Sequence, residues 1–287
     1  MKKWVIASGI LVLFLCVGVV LLLKKNSQQE SVIARQENSV QTENFLGEKI
    51  NFTDVKNTEE LKALFANARF DKMPKIFVRR FPNDFAQKGN PALFAAVLLP
   101  YLLRQNELLT YEREAFLYLC DKLRAGETLT PAQEAFWSGL VLKYEVLNPD
   151  REGQEETLNL RLDRMSPSLA VAQALETTDF GKNDLDAPFG VRRWNDKKQY
   201  DFVHYPDLAA AVSDYALELN RGQSYLKFHM LREAQRKSVR RPLFGKKFAR
   251  GLSYYKIEDP DYTRKLEAIF DRYKFQDLDN AKFEGDK

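Results

Sequence analysis

The sequence predicts a mainly α-helical protein carried behind one N-terminal membrane-spanning helix. Three observations predict it. Trp4 to Leu23 is a twenty-residue apolar run with Ser8 as its one polar side chain. Beyond residue 45, apolar residues recur at spacings of three and four. Pairs such as Thr130-Pro131 and Ser166-Pro167 place a capping hydroxyl directly before a first-turn proline.

As a helix, the apolar run measures about 30 Å, enough to cross a bilayer core. A cleavable export signal has a shorter apolar region followed by small residues, whereas this run ends Leu21-Leu22-Leu23-Lys24-Lys25. Retention as an anchor is therefore expected. Cys16 follows Leu15, which is larger than a lipid-attachment site favours, so it is read as a membrane-buried thiol. Lys2 and Lys3 before the span balance Lys24 and Lys25 after it, which leaves orientation open on charge alone.

The chain of 287 residues has 45% hydrophobic and 29% charged residues, an ordinary globular composition. Its formal charge is +4, and the four lysines around the span account for all of it. The remainder is neutral, so a nucleic-acid footprint is not indicated. Cys16 and Cys120 fall in different environments and are not expected to pair. His204 and His229 have no cysteine or second histidine at ligand spacing and read as surface or core residues, so no metal or other cofactor is expected.

Residues 1–25 are read as the anchor, 26–44 as a flexible polar linker, 45–150 as a helical N-terminal region and 151–287 as a second domain. In the N-terminal region Thr58 is expected to cap a short helix carrying Glu59, Glu60, Leu61, Leu64 and Phe65. Met73 to Phe85 reads as an extended connector. Pro91 to Leu123 carries a wide apolar stripe through Leu93, Val97, Tyr101, Leu109, Phe116 and Leu119, with Pro100 a candidate kink and Gly126 the stop. A helix opens at Pro131, with Glu134 in its first turn, and stops before Asn148-Pro149.

Ser166-Pro167 opens another helix through Leu169, Ala172, Gln173 and Leu175. A loop-rich stretch follows from Asp179 to Tyr205, with a short hairpin through Tyr200, Phe202 and Val203 as one reading. Two helices close the chain. One runs from Asp207 to about Gln235 with a break near Gly222, and the other from Tyr262 to Phe275.

Several separated stretches resemble the Bax-like branch of the bacterial glucosaminidase family, in order and in spacing. They are Met73-Pro74-Lys75-Ile76-Phe77-Val78 with Phe81-Pro82-Asn83-Asp84, Leu98-Leu99-Pro100-Tyr101-Leu102-Leu103 with Asn106, and Pro167-Ser168-Leu169-Ala170-Val171-Ala172-Gln173-Ala174. Asp214-Tyr215, Leu219-Asn220 and Tyr225 follow, then Gly251-Leu252, Tyr255 and Tyr262. The resemblance implies a lysozyme-like helical glucosaminidase domain over 151–287 and peptidoglycan glycan strands as the substrate. It also implies an exported domain on the periplasmic side of the inner membrane.

In that family the catalytic helix ends in a Glu-Ser/Thr-Gly-Trp-Gly motif whose Glu protonates the glycosidic oxygen. Counting without gaps puts Thr177 at the Glu, Asp179 at the first Gly and Phe180 at the Trp. Threonine cannot supply that proton. A one-residue shift instead puts Glu176 there, although one helical step turns a side chain by about 100°. The resemblance therefore leaves open an endo-β-N-acetylglucosaminidase with Glu176 as acid and an inactive relative that binds glycan or scaffolds an envelope complex.

The same resemblance makes Tyr255 a residue that orients substrate. Asp179, Phe180, Phe189, Gly190 and Tyr225 become candidate substrate-binding residues, with the family's Asn-Leu-Phe-Gly loop present only as Ala187-Pro188-Phe189-Gly190. Asp184 and Asp186 are candidates to activate water, and Glu176 with Asp179, three apart, for a shared helix face. Arg236, Lys237, Arg240, Arg241, Lys246, Lys247 and Arg250 form a basic stretch without an acid. It is read as a solvated loop or as a contact for anionic polymer or lipid.

Overall fold

In a computed structural model of the protein, residues 50–194, 199–238 and 244–285 are described. The expected span at 4–23, the linker at 26–44, Cys16, Arg240 and Arg241 lie outside them. The chain divides into two compact units. Residues 1–49 and 128–138 form one, and residues 50–127 and 139–287 the other. The described part of the first unit is a helix start in which Thr130 Oγ1 accepts from Gln133 N, and Gln133 Oε1 accepts from Thr130 N at 3.0 Å. That reciprocal pair opens a helix over Pro131–Lys143.

The larger unit is mainly helical. A two-residue strand β1 (Phe52–Thr53) pairs in parallel with β2 (Phe77–Val78), and between them lies α1 (Thr58–Leu64). The residue capping α1 is Asn57 rather than the expected Thr58. Asn57 accepts from Glu60 N at 2.9 Å, while the Thr58 hydroxyl and amide both donate to Asp84 Oδ1 at 2.8 and 2.9 Å. A remote carboxylate thus competes for the hydroxyl, and the neighbouring amide oxygen takes the cap.

After a single turn α2 (Phe85–Lys88), the helix α3 (Pro91–Arg124) runs 34 residues, about 51 Å at the usual rise. Asn90 caps it, and Pro100 stays within it. Its first half is buried on every side from Leu93 to Leu103, and only its second half is amphipathic, through Leu109, Phe116, Leu119 and Cys120. Burial pushes the Cys120 thiol up to about 12. Among the described residues no helix is long and apolar enough to cross a membrane.

The helix that carries the site is α4 (Pro167–Thr177), after a helix over Arg151–Arg161 and the linking residues 162–166. Ser166 caps it and Pro167 to Leu175 are all buried. The alanines at 170, 172 and 174 let neighbouring helices approach. Its start is held by Asp279 in a 3-10 turn (Phe275–Asn280). The carboxylate accepts from Ser166 Oγ at 2.7 Å, Ser168 N at 3.0 Å, Ser168 Oγ at 2.6 Å and Gly245 N at 3.0 Å.

The motif asparagines are structural. Asn106 exchanges two bonds of 2.8 Å with the backbone of Met165, and Asn220 Nδ2 donates to Asp163 O at 3.0 Å. Arg232, fully buried, donates to Asn220 Oδ1 at 2.7 Å and to the carbonyl of Arg161 at 3.2 Å. These bonds satisfy the loop that aims α4. His229 lies beside them and donates from Nε2 to Leu219 O at 2.7 Å, and burial with the nearby Arg232 charge pulls its pKa down to about 3. His204 is on the surface against Asp186.

The expected hairpin forms as β3 (Arg192–Trp194) and β4 (Tyr200–Phe202), antiparallel. The helix expected from Asp207 breaks where the sequence places it. It appears as α5 (Leu208–Arg221), a turn over Gln223–Tyr225, and α6 (Leu226–Ser238). Gly251 is required by close approach, because a Cβ there would lie 2.6 Å from Phe228 Cα in α6. The last helix, α7 (Tyr262–Tyr273), ends two residues short of Phe275 in a left-handed Lys274. The terminal segment then returns to the start of the unit, where Met73 N donates to Lys282 O and Glu284 N to Met73 O.

Candidate functional site

The last turn of α4 carries both residues that compete for the acid position. Glu176 Oε2 accepts from Lys256 Nζ at 2.5 Å, and the two side chains are only 12% and 17% exposed. Lys256 comes from the segment between Leu252 and Pro260, 80 residues away in the chain. It also lies 5.5 Å from the Tyr262 ring centroid. Thr177 has no such partner. Its Oγ1 is buried without a hydrogen-bond partner, and its methyl packs on Gly190.

Gly190 is needed there twice over. Its φ is +65°, and a Cβ would meet Thr177 Cγ2 at 3.0 Å and a Phe202 ring carbon at 3.5 Å. Gly190 therefore lies between the end of α4 and the hairpin. Asp179 and Phe180 follow the helix with positive φ, so Asp179 is outside the helical register that would set it beside Glu176. It is exposed and pairs with Lys182 at 3.3 Å. Phe180 turns instead to Tyr273, with ring centroids 5.9 Å apart.

Phe189 is fully buried, stacked on Tyr215 at 4.2 Å, and presents its carbonyl rather than its ring to the site. That carbonyl accepts from Tyr255 Oη at 2.7 Å. Tyr255 is half-buried among Tyr215, Tyr225 and Tyr262, at centroid distances of 6.4, 6.1 and 5.9 Å. Gln173 bridges this floor, accepting from Tyr215 Oη at 2.7 Å and donating to Tyr262 Oη at 2.8 Å. Burial pushes the phenols of Tyr215, Tyr255 and Tyr262 well above their ordinary value, so all three stay protonated, with Tyr215 and Tyr255 donating and Tyr262 accepting.

Tyr225 completes the floor and donates to Glu218 at 3.2 Å. Glu218 and Asp214 receive Arg193 from the hairpin at 3.1 and 3.2 Å, and Tyr205 donates to Asp214 at 2.6 Å. On the opposite side of the hairpin, Arg192 pairs with Glu258 at 2.7 Å. The hairpin is thus fastened to α5 by one arginine and to the 252–260 segment by the next. Asp184 and Asp186 are both exposed, and Asp186 is engaged with His204.

Of the residues singled out in the sequence, Glu176 and Thr177 end α4, Gly190 adjoins Thr177, and Tyr255 meets Tyr225 and the carbonyl of Phe189. Sequence reasoning missed Lys256, Arg193 and Glu218, whose importance comes from partners far away in the chain. In the described part of the basic stretch, Arg236 pairs with Asp163, Lys237 with Glu233, Lys246 with Asp271 and Arg250 with Glu267, while Lys247 is exposed and lies 5.9 Å from the Phe244 ring centroid. Among the described residues no group of three or more His, Cys, Asp or Glu side chains converges to hold a metal ion.

These features define a helical domain with a short hairpin set against the C-terminal end of a buried helix. No family model matches the chain, and no curated protein matches it. Among solved structures it is similar to the catalytic domain of the autolysin Auto from Listeria monocytogenes. The identity is 18%, over 56% of this chain and 96% of that one, with a TM-score of 0.29. At that score the likeness carries no argument about function.

Proposed function

We propose that this protein engages peptidoglycan glycan strands as a non-cleaving relative of the endo-β-N-acetylglucosaminidases. One observation carries the reading. The carboxylate at the end of α4, Glu176, is held in a largely buried ion pair with Lys256, and the adjacent position is Thr177. A general acid must hold a proton and direct it at the glycosidic oxygen. The Glu176 carboxylate oxygen is instead turned to the Lys256 ammonium at 2.5 Å. The order of motifs supports glycan as the ligand, with Tyr255 and Tyr225 in the floor beneath it. The apolar run 4–23 supports a membrane anchor, and the motif resemblance supports placing the domain on the periplasmic side.

A second reading is favoured by the position of Glu176, which is in the last helical turn and adjoins the tyrosine floor. If Lys256 moves away on binding, Glu176 becomes the acid and Asp184 or Asp186 activates water. The test is incubation of the full chain, in detergent, with purified peptidoglycan, measuring co-sedimentation and new reducing ends by mass spectrometry. The first reading expects binding without new ends in the wild type, and cleavage appearing in Thr177→Glu would strengthen it. New ends from the wild type that vanish in Glu176→Gln would replace it with the second. Absence of binding would end both.

A further inference from the structure

Cross-strand register places Trp194 opposite Tyr200 at the end of the hairpin where the two strands are joined, and Arg192 opposite Phe202 one repeat away from the joining residues. Because side chains alternate along a strand, all four share one face. Arg193 and Asp201 take the other, where Arg193 reaches α5. The outer pair is exposed, Trp194 by 72% and Tyr200 by 58%, with ring centroids 5.5 Å apart and planes tilted by 48°. The inner pair is a cation on a ring, with the Arg192 guanidinium 4.7 Å from the Phe202 centroid.

This face continues into the site already described. Phe202 borders Gly190, Gly190 borders Thr177, and Thr177 ends α4. Two residues of strand separate the Trp194–Tyr200 pair from Phe202, about 7 Å. A row therefore runs from two exposed rings, past an arginine paired with Glu258, to the helix end.

We propose that Trp194 and Tyr200 form a sugar-stacking subsite for an N-acetylhexosamine unit of a glycan strand whose neighbouring unit lies toward the α4 end. This rests on the glycan-binding reading and adds to it a place and an orientation for the strand. The chemistry fits a pyranose. Such a ring has C–H faces that lie on aromatic rings and hydroxyls at its edge, and Arg192 and Glu258 supply charged partners beside the stack. A lipid surface is the less fitting occupant, because the Arg192–Glu258 ion pair stands directly beside the two rings.

The experiment titrates the full chain in detergent with an N-acetylglucosamine tetramer and with peptide-free glycan strands, by calorimetry and by tryptophan emission. In the wild type, emission should shift to shorter wavelength as the exposed Trp194 is covered. Trp194→Ala should weaken binding by roughly tenfold and Tyr200→Ala by less, while Trp194→Phe keeps most of the affinity. Both positions are exposed, and circular dichroism checks that the fold is unchanged. Wild-type affinity in the double alanine variant would overturn the subsite and leave glycan binding standing. A wild type that binds neither glycan would overturn both. Variants that lose binding to anionic phospholipid vesicles but keep glycan affinity would assign the rings to a membrane and overturn the proposal.

Discussion

Asp279→Ala tests whether the end of the chain fixes the helix that carries the site. The wild-type carboxylate accepts four hydrogen bonds, from Ser166 Oγ, Ser168 N, Ser168 Oγ and Gly245 N. Bonds to a charged acceptor contribute about 1.5–3 kcal/mol each in isolation, but four on one group are not additive. Burial also raises the pKa of this carboxyl, so ionising it inside the fold has a cost that offsets part of the gain. The net loss is set at about 3 kcal/mol, because Gly245 N and Ser168 N lose their acceptor in a buried place.

For a domain of this size a loss of that order lowers the Tm by roughly 6–12 °C. The assay is thermal and urea unfolding followed by circular dichroism, beside Asp279→Asn. The asparagine should recover only part of the loss, since its amide nitrogen presents donors to the donors of Ser168 or Gly245. Function should also suffer, because Glu176 and Thr177 are about 16 Å along the helix that Asp279 caps. An alanine variant within 1 kcal/mol of wild type would refute the claim that this carboxylate anchors α4.

His229 makes the fold acid-sensitive. Its folded pKa, about 3, is below the ordinary 6.5, so the unfolded chain binds the extra proton between those values. Its contribution is intact above pH 6.5 and falls by about 1.4 kcal/mol per pH unit as the pH drops toward 3. Urea midpoints at pH 7 and pH 5 should therefore diverge more in wild type than in His229→Gln, and equal slopes would count against this. Gly190→Ala should lose about 2 kcal/mol from its positive φ and the Thr177 contact. Adding Thr177→Ser should return the steric part only, as a double-mutant cycle can measure. Lys256→Met should cost about 2 kcal/mol by leaving Glu176 unpaired, and Glu176→Gln in the same chain should restore most of it. A double variant no more stable than the single would argue against the pair.

Much of the fold was legible because its signals are local. Ser166-Pro167, the apolar stripe of α3, the break at Gly222 and the alternation of Tyr200, Phe202 and Val203 depend on neighbours within a few residues. The failures share a different cause. Thr58 is taken by Asp84, 26 residues on, and Glu176 by Lys256, 80 residues on. The acids that pair with the basic stretch, Asp163 in the loop before α4 and Glu267 and Asp271 in α7, lie outside the stretch itself. Tyr255, expected to orient substrate, has its hydroxyl committed to the Phe189 carbonyl, 66 residues back. Pattern reading finds faces; charge partners depend on how those faces are assembled.

The return of the terminal segment governs when this domain can exist during synthesis. Lys282 and Glu284 bond to the Phe70–Met73 segment, and Asp279 caps a helix begun more than a hundred residues earlier. A growing polypeptide that has emerged only as far as α6 lacks both clasps. Helices can form transiently on the ribosome, yet closure waits until nearly all of the unit has been translated. Removal of residues 276–287, which takes away Asp279 and the Lys282 and Glu284 bonds together, should therefore destabilise the unit more than Asp279→Ala alone.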